Sequence, residues 1–300
     1  MLMALCMMFA LCACGAAEEA PAPAPAEEAA PAAEDAGAEE AVEAAIPGLE
    51  DGVLTIAMEC GYAPYNWTQS DDSNGAVPIS GTDGEYANGY DVMIAKMICE
   101  ANGWDLEVIR TDWDSLVPGV QSGLYDAVIA GQSMTEDRSM VVDFAGPYFY
   151  ASIVCLTRAD SEFANAQGLA DLAGGSCTAQ SATIWYDSML AQIPDADIQT
   201  AAESAPAMLM ALETGAVDFV CTDMPTALGA CAAYDDFVLL DFTGSEDNFE
   251  ADEGEINIGI SLMKGNTALL DAINSVVGEM TADDFNTLMD EAIAIQPLSE

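Results

Sequence analysis

An arginine stands at the end of a small, polar loop in a chain that contains very few basic residues. The loop, residues 130–138, reads AGQSMTEDR, and Arg138 is one of five Lys and Arg residues against fifty-two Asp and Glu residues. A planar guanidinium matches a carboxylate through two parallel hydrogen bonds. Arg138 therefore predicts a specific anionic partner, and the alternative is an ion pair with its neighbours Glu136 or Asp137.

The segment that leads into this loop has a second copy later in the chain. VQSGLYDAVIAG (residues 120–131) aligns without gaps with LETGAVDFVCTD (residues 212–223). The identical pairs are Gly123 and Gly215, Asp126 and Asp218, and Val128 and Val220. Each copy reads as a helix end, a Gly stop and a short apolar strand that ends in a polar loop. Such junctions are common in α/β proteins, but the shared pattern favours two similar lobes, each with its own sheet.

The alignment places opposite charges at equivalent strand ends. Ligands of open α/β sheets bind at the carboxyl ends of the strands. The first copy ends at Gly131 and leads into Ser133 and Arg138, whereas the second copy ends at Asp223. One lobe thus offers a cation and the other an anion, which predicts a zwitterionic ligand such as an α-amino acid. The alternative for Asp223 is that it caps a helix that begins in MPTALGACAA.

Strands and helices alternate around the first copy, which predicts a mainly parallel α/β sheet. The expected elements are a strand in GVLTIAME (52–59), a helix in YDVMIAKMICEANG (90–103), a strand in DLEVI (105–109), a helix in DWDSLVPGVQSG (112–123) and a strand in YDAVIAG (125–131). The helical period places on one face of the first helix Ile94, Met97, Ile98 and Ala101. The expected cap of the second helix is Asp114 or Ser115.

The composition excludes several classes of function. A formal net charge of -47 would repel the phosphates of DNA and RNA, so no nucleic-acid partner is expected. Histidine is absent, which excludes Ser-His-Asp and Cys-His catalysis and any zinc site that contains His. The nine cysteines form no C-x-x-C pair, and neither a metal nor another cofactor is expected.

The N-terminal residues resemble an export signal. MLMALCMMFALCACG is an apolar run too short to span a bilayer, and LCAC (Leu11–Cys14) is similar to a bacterial lipobox, in which the last Cys is acylated. Residues 1–14 are therefore expected to be a signal peptide with Cys14 as the lipidated residue, and the alternative is an ordinary secretory leader with incidental cysteines. Residues 15–50 are rich in Ala, Glu and Pro, which predicts a disordered tether.

Several phrases of the remaining chain resemble the bacterial extracellular solute-binding proteins (family 3 type) of ABC transporters for polar amino acids. They are GYAPYNW, NGYDVMIAKMI, DWDSLVPGVQSGLYDAVIAGQSMTEDR, VDFAGPYF and INIGISLMKGN, and they cover nearly all of residues 53–280. The resemblance implies a two-lobed, type II periplasmic-binding-protein-like α/β fold with the ligand in the cleft. Together with the leader, it implies an extracytoplasmic, lipid-anchored monomer that binds a free amino acid and docks on ABC permease subunits at the membrane.

The resemblance also implies which residues bind the ligand carboxylate. The arginine that grips the α-carboxylate in the family falls on Arg138, and a hydroxyl residue that helps to hold it falls on Ser133. Gly131 matches a position where the backbone approaches the ligand closely, which favours the lack of a side chain. Thr183 matches a threonine at a helix start in the second lobe, where helix N–H groups attract a carboxylate.

The rest of the implied site binds the ammonium group and the side chain of the ligand. Asp223 matches the residue that receives the α-ammonium, and Tyr62 and Trp113 match two aromatic positions on either side of the ligand side chain. The alternative for both aromatic residues is a place in the core. Glu59 and Gln180 match positions that bear on the choice of ligand. No catalytic residue is predicted.

The implied organisation has two lobes that close over the ligand at a hinge. Lobe I comprises residues 51–150 and 257–300, lobe II comprises residues 151–256, and the hinge strands are expected near 150–152 and 255–258. Besides Arg138, no basic residue is expected in the pocket, so a neutral polar or cationic amino acid is favoured over an acidic one. The alternatives are a cyclohexadienyl-dehydratase-like enzyme on the same fold and an amino-acid-sensing surface lipoprotein.

Six cysteines follow Cys14, and their state is left open by the sequence. They are Cys60, Cys99, Cys155, Cys177, Cys221 and Cys231. Exported proteins often pair their cysteines, but these lie in apolar segments where Cys also serves as a small hydrophobic residue.

Overall fold

The computed structural model describes residues 46–297. The predicted signal peptide, Cys14 and most of the tether lie outside the described residues. The described strands are β1 (Val53–Met58), β2 (Gly61–Tyr62), β3 (Asn66–Gln69), β4 (Val77–Pro78), β5 (Tyr86–Asn88), β6 (Asp105–Arg110), β7 (Ala127–Val128), β8 (Val142–Phe149), β9 (Ile153–Arg158), β10 (Ser176–Thr178), β11 (Asp197–Ile198), β12 (Phe219–Asp223), β13 (Phe237–Leu240) and β14 (Ile258–Met263).

The helices lie between these strands and bury their apolar faces against the sheets. They are α1 (Tyr90–Asn102), α2 (Trp113–Ser122), α3 (Glu136–Ser139), α4 (Ala205–Glu213), α5 (Met224–Ala233), α6 (Glu253–Ile256), α7 (Thr267–Val277) and α8 (Ala282–Ile295). Short 3-10 turns add to them at Ser73–Gly75, Leu169–Leu172 and Leu190–Gln192, and a single π-helical turn covers Trp185–Met189.

The two main sheets share one topology. The first has the strand order β6-β1-β7-β14-β8, the second has the order β11-β10-β12-β9-β13, and a small antiparallel sheet joins β2, β3, β5 and β4. The central strands β1 and β10 pair in parallel with both of their neighbours. The fourth strand of each sheet, β14 or β9, runs antiparallel to both of its neighbours. Each sheet is therefore mainly parallel, as the sequence predicted.

The two copies of the repeated segment also fold alike. Each copy ends its helix on a Gly in the left-handed region, with φ of 71° at Gly123 and 72° at Gly215. The carboxylate that follows then accepts a backbone N–H from the first parallel strand of its sheet, over 2.9 Å at Asp126 and 2.8 Å at Asp218. The matched Gly and Asp residues thus fix the same helix-to-strand turn in both sheets.

The chain passes between the two sheets twice. Residues 150–152 link β8 to β9, and β14 begins at Ile258 directly after α6 and Asn257. Two separate buried clusters surround the sheets, one with Ile56 and Ile260 in it and the other with Val154 and Val220. The crossings lie where the hinges were expected, while the exact lobe boundaries and the hinge motion stay predictions.

Three local expectations were wrong. The strand in YDAVIAG shortens to β7, because the chain turns into the cleft loop at Gly131, whose φ is 64°. The second helix begins at Trp113 with Asp112 in the cap position, so Asp114 lies inside the first turn and neither it nor Ser115 is the cap. On α1, Ala101 is exposed and Met97 is only partly buried, because the buried stripe of the helix runs through Asp91, Ile94, Ala95, Ile98 and Cys99 and leaves these two residues beside it.

The six cysteines among residues 46–297 are free thiols, and all except Cys231 are buried. They therefore act here as small hydrophobic residues. Within the same residues, none of the helices combines the length and the apolar character that a membrane crossing requires.

Candidate functional site

Arg138 lies between the two lobes in the short helix α3, which Thr135 caps. Its Nη1 donates to the carbonyl of Ser133 over 2.8 Å, and its Nη2 donates to the carbonyl of Ala182 in lobe II over 2.9 Å. Its guanidinium carbon lies 5.3 Å from the ring centroid of Trp113, a distance that suits a cation–π interaction. Burial lowers the pKa of Arg138 to about 10, although the carboxylate of Asp187 opposes that shift.

The alternative pairing of Arg138 with its acidic neighbours does not occur. Glu136 and Asp137 are exposed in the first turn of α3, where negative charge favours the helix dipole. The ion pairs within residues 46–297 are Arg110–Glu85, Arg158–Asp160 and Lys264–Asp143. The guanidinium of Arg138 is therefore held by neutral groups, two carbonyls and the Trp113 ring, and it retains its charge for an anionic partner.

Gly131 and Ser133 lie in the loop after β7 and line the site on the side of lobe I. Ser133 is buried and its backbone bridges to Ile258 at the start of β14. A Cβ on Gly131 would lie 2.9 Å from Cε1 of Tyr62 and 3.1 Å from Cγ of Tyr65. Two tyrosine rings thus leave no room for a side chain at position 131, and the predicted close approach of the Gly131 backbone to a ligand stays a prediction.

Asp223 is fully buried at the end of β12 and faces lobe I. Its Oδ1 accepts the N–H of Thr226 over 2.9 Å, so the capping role suggested as an alternative is confirmed. Its Oδ2 accepts the hydroxyls of Tyr65 over 2.9 Å and of Tyr62 over 3.3 Å. Burial raises the pKa of Asp223, while these hydrogen bonds oppose the shift. Capping uses one oxygen and leaves the other to contacts across the cleft.

The aromatic residues take two different places. Tyr62 and Tyr65 stack with their centroids 5.0 Å apart, and the hydroxyl of Thr226 donates to the Tyr62 hydroxyl over 3.1 Å. Trp113 is buried on the opposite side of the site, beside Arg138, and its Nε1 donates to the carbonyl of Ala182 over 3.4 Å. Both predicted aromatic residues therefore line the lobe contact as well as contributing to the buried core of lobe I.

Glu59 and Gln180 meet across the cleft. The amide Nε2 of Gln180 in lobe II donates to the carboxylate of Glu59 at the end of β1 over 3.3 Å. Burial raises the pKa of Glu59 to about 7, and the charges of Asp112 and Asp114 add to that effect, whereas the bond from Gln180 opposes it.

A cavity of about 330 Å³ adjoins Glu59 and is lined also by Arg110, Thr111 and Asp112. Arg110 is thus a basic residue beside Glu59, while the expectation that Arg138 is the only basic residue in the ligand pocket stays a prediction. Arg110 is the last residue of the neighbouring strand β6 and so lies at the same sheet edge as Glu59. Its guanidinium is committed to Glu85, 2.8 Å away.

Thr183 is buried at the start of a helical turn in lobe II, as the resemblance implied. Its hydroxyl donates to the carbonyl of Gln180 over 2.7 Å and accepts the N–H of Tyr186 over 3.4 Å. The turn that follows is π-helical, from Trp185 to Met189, which the sequence did not indicate. Thr183 thus stabilises the loop that carries Gln180 and Ala182.

Three contributors were missed by sequence reasoning. Tyr65 lies in the same loop as Tyr62, so its aromatic side chain was an available signal. Thr226 stands three residues after Asp223, the usual spacing between a cap and the N–H that it accepts. Ala182 contributes only a carbonyl group and adopts a left-handed φ of 53°, and an alanine gives no sequence signal for either.

Comparisons with known proteins agree with this architecture. A sequence model of the family described as "Bacterial extracellular solute-binding proteins, family 3" matches residues 54–292. The L-cystine-binding protein TcyJ of Escherichia coli (strain K12) is 25% identical over 234 residues, which are 78% of this chain and 79% of that protein. The arginine-binding periplasmic protein of Mannheimia haemolytica is 25% identical over 222 residues, 74% of this chain and 83% of that protein.

A solved structure shows the same fold. It is an amino acid ABC transporter substrate-binding protein from Streptococcus pneumoniae Canada MDR_19A bound to L-arginine, with a TM-score of 0.70 at 24% identity. The match covers 83% of this chain and 96% of that chain. The predicted two-lobed α/β fold is thereby confirmed.

Proposed function

The chain belongs to family 3 of the bacterial extracellular solute-binding proteins, and we propose that it binds a free α-amino acid between its lobes and delivers it to the permease subunits of an ABC importer. The observation that carries this proposal is the placement of Arg138 and Asp223. The two charged groups lie at equivalent edges of the two sheets, both in the cleft, and among the described residues neither forms an ion pair.

The ligand carboxylate would replace neutral acceptors at Arg138. A carboxylate can accept both guanidinium N–H groups that now point at carbonyl oxygens, and a charged pair of this kind is stronger than a neutral hydrogen bond. Arg138 is partly buried, so the Coulomb attraction is less screened there than at the open surface. Ser133 and Gly131 lie in the same loop and complete the carboxylate-binding side.

The ligand ammonium would bind Asp223 in lobe II. The two tyrosine hydroxyls that now donate to Asp223 come from lobe I, so each of the opposed charges is in contact with the other lobe. A zwitterion bound to both lobes would stabilise the closed arrangement by its differential contacts, which is how a ligand shifts such an equilibrium. No bond is made or broken in this function.

The surroundings of Glu59 support a neutral polar or cationic ligand. Three carboxyl groups, those of Glu59, Asp112 and Asp114, lie close together at the end of the cleft. The guanidinium of Arg110, which lines the same pocket as Glu59 and Asp112, is already paired with Glu85. An acidic side chain would meet like charges there, and a buried carboxylate without a partner is costly. The two curated relatives described above are named for cystine and arginine, respectively.

We also propose that Cys14 anchors the protein to the outer face of the cell membrane as a monomer. The resemblance of LCAC to a lipobox supports this part of the proposal. The acidic tether of residues 15–50 would then separate the binding lobes from the membrane surface.

A thermal-shift screen of the purified protein against the proteinogenic amino acids, followed by calorimetry, tests the proposal. We expect neutral polar or basic amino acids to raise the melting temperature, because a ligand that binds only the folded state stabilises it. Tighter binding of aspartate or glutamate than of neutral and basic amino acids would refute the proposed ligand class. Recovery of the bound amino acid unchanged distinguishes binding from enzymatic turnover, and uptake assays with the permease distinguish transport from sensing.

A further inference from the structure

The first turn of α1 holds the loop that carries Tyr62 and Tyr65. The helix has Gly89 in its cap position, without a capping side chain. Its first N–H groups donate instead to that loop, from Tyr90 to the carbonyl of Pro64 over 3.1 Å and from Asp91 to the carbonyl of Tyr65 over 2.8 Å. At Gly89, where φ is 123°, a Cβ would lie 2.4 Å from the Tyr65 oxygen. The approach of helix and loop therefore requires glycine.

The side chain of Asp91 extends the same connection into the core. It is fully buried, and its Oδ2 accepts the amide Nδ2 of Asn66 over 2.8 Å, while its Oδ1 accepts the hydroxyl of Tyr148 over 2.7 Å. Asn66 follows Tyr65 directly, so one oxygen of Asp91 holds the end of the tyrosine loop. Ion pairs within residues 46–297 do not include Asp91, which leaves its carboxylate to neutral donors.

Tyr148 links Asp91 to the second loop of the site, which contains Gly131 and Ser133. Its hydroxyl accepts the N–H of Gly131 over 2.9 Å while it donates to Asp91. The ring of Tyr148 stacks on that of Tyr90, with centroids 5.8 Å apart, and the Tyr90 hydroxyl donates to the Tyr148 carbonyl. Tyr148 is therefore fixed in position, and its hydrogen bond fixes the position of the Gly131 backbone in the cleft.

We infer that Asp91 is a positioning residue for the ligand site, which holds the tyrosine loop and the Gly131–Ser133 loop at one fixed separation. This inference rests on the proposed function, because it assigns Asp91 a role in amino-acid affinity. The separation matters because the backbone of Gly131 approaches the ring of Tyr62 closely, and because the same loop supplies the carbonyl that orients Arg138. Asp91 itself does not contact Arg138 or the proposed ligand.

The proposed role requires that both carboxylate oxygens of Asp91 accept hydrogen bonds. An ionised carboxylate only accepts hydrogen bonds, so the Tyr148 hydroxyl must donate to Asp91 and keep its own lone pair for the N–H of Gly131. An asparagine at this position would direct an NH₂ group at Asn66 or at Tyr148. In the first case the Asn66 amide must flip to offer its Oδ1, which leaves its Nδ2 group without the acceptor that it has now. In the second the Tyr148 hydroxyl would have to accept from the new amide, and the Gly131 N–H would lose that hydroxyl as an acceptor.

The test compares Asp91→Asn with a matched variant in the same lobe, Asp126→Asn. The carboxylate of Asp126 also accepts a backbone N–H, that of Thr55 over 2.9 Å, but it lies at the opposite end of β1 from the cleft. Two readouts are measured: affinity for the proteinogenic amino acids by calorimetry, and hydrogen exchange of the segments 62–66 and 129–133 in the ligand-free protein.

We expect Asp91→Asn to weaken binding by about tenfold or more, as for loss of a buried hydrogen-bond partner, and to speed exchange in both segments. Asp126→Asn should leave affinity within about twofold of the original. If Asp91→Asn does not fold, Tyr148→Phe replaces it, since it removes only the hydroxyl and should give the same two effects. Unchanged affinity and unchanged exchange, or equal losses in Asp126→Asn, would overturn the inference. If the unaltered protein binds no amino acid, the proposed function fails, and the exchange data alone then decide whether Asp91 holds the two loops.

Discussion

The hydroxyl of Tyr65 donates a hydrogen bond to Oδ2 of Asp223 over 2.9 Å, and this bond joins lobe I to lobe II. Both side chains are fully buried. A carboxylate taken out of water needs several donors, and Asp223 receives them from Tyr62 and Tyr65 in one lobe and Thr226 in the other. Asp223, which is proposed to bind the ligand ammonium, is thus stabilised by groups from both lobes even without a ligand.

Asp223→Asn separates the two roles of Asp223. Asparagine is as good a helix cap as aspartate, so we expect the melting temperature to change by only a few degrees. Loss of the negative charge should weaken the binding of an α-amino acid by about 10- to 100-fold, because a hydrogen bond to a charged group contributes about 1.5–3 kcal/mol. Calorimetry and thermal unfolding measure the two effects.

The control for this prediction is Asp218→Asn. Asp218 accepts the N–H of Ser176 over 2.8 Å at the start of the same strand region, away from the cleft. It should lower stability and leave affinity unchanged. If Asp223→Asn retains the original affinity, the ammonium is bound elsewhere.

Arg138→Ala should abolish the binding of every α-amino acid. The variant removes the charge that is proposed to bind the carboxylate, together with the two carbonyl contacts over 2.8 and 2.9 Å. Arg138→Lys should recover part of the affinity, since it restores a charge but not the planar pair of donors. Micromolar affinity of the Ala variant in calorimetry would refute the role of Arg138.

Arg158→Lys is the matched control for the arginine variants. Arg158 is also partly buried, and its Nη1 donates to the carbonyls of Leu212 and Val217, each over 2.8 Å, where α4 ends. A lysine at position 158 should lower the melting temperature and leave ligand affinity unchanged, because this position lies at the end of β9 that is far from the cleft.

The parts of the fold that the sequence predicted well are those with local determinants. The left-handed Gly123 and Gly215 and the carboxylates of Asp126 and Asp218 each act within a few residues or on an adjacent strand, so a twelve-residue alignment was enough to find them. The fold class followed from the same repeat and from the alternation of strands and helices.

The contacts across the cleft could not be found in this way. Tyr65 and Asp223 lie 158 positions apart, and their pairing depends on how two lobes meet, which no local pattern encodes. Ala182 contributes a backbone carbonyl to Arg138 and Trp113, and its side chain carries no information about that role. The commitment of Arg110 to Glu85 likewise depends on the small sheet that brings Glu85 beside β6.

Cys14→Ser should prevent the attachment of a lipid anchor. A thiol is required for acylation at a lipobox, and serine keeps the size of the side chain without that chemistry. Fractionation of cells that produce the protein should find the original chain with the membrane and the variant either in the soluble extracytoplasmic fraction or as unprocessed precursor. Cys12→Ser is the control and should remain with the membrane. Release by Cys12→Ser but not by Cys14→Ser would show that Cys12, and not Cys14, is the lipidated residue.

The raised pKa of Glu59 predicts how stability and ligand binding depend on pH. Burial raises this pKa to about 7, above that of an unfolded chain, so the folded protein binds the proton more tightly. The contribution of Glu59 to the stability of the ligand-free protein is therefore greatest at low pH and is lost as the pH rises through about 7. Binding of a cation has the opposite dependence, because only the ionised carboxylate attracts it.

We therefore expect the affinity for L-arginine to fall as the pH is lowered from about 8 to about 6, while the affinity for L-glutamine changes little. Arginine binding near neutral pH should also release up to about one proton, since a nearby cation lowers the pKa of Glu59. Calorimetry in two buffers with different ionisation enthalpies measures that release. Glu59→Gln should remove both the pH dependence and the proton release, and Gln can still accept the bond that Gln180 donates. A pH profile that is the same for both ligands, or that persists in Glu59→Gln, would show that Glu59 does not contact the ligand side chain.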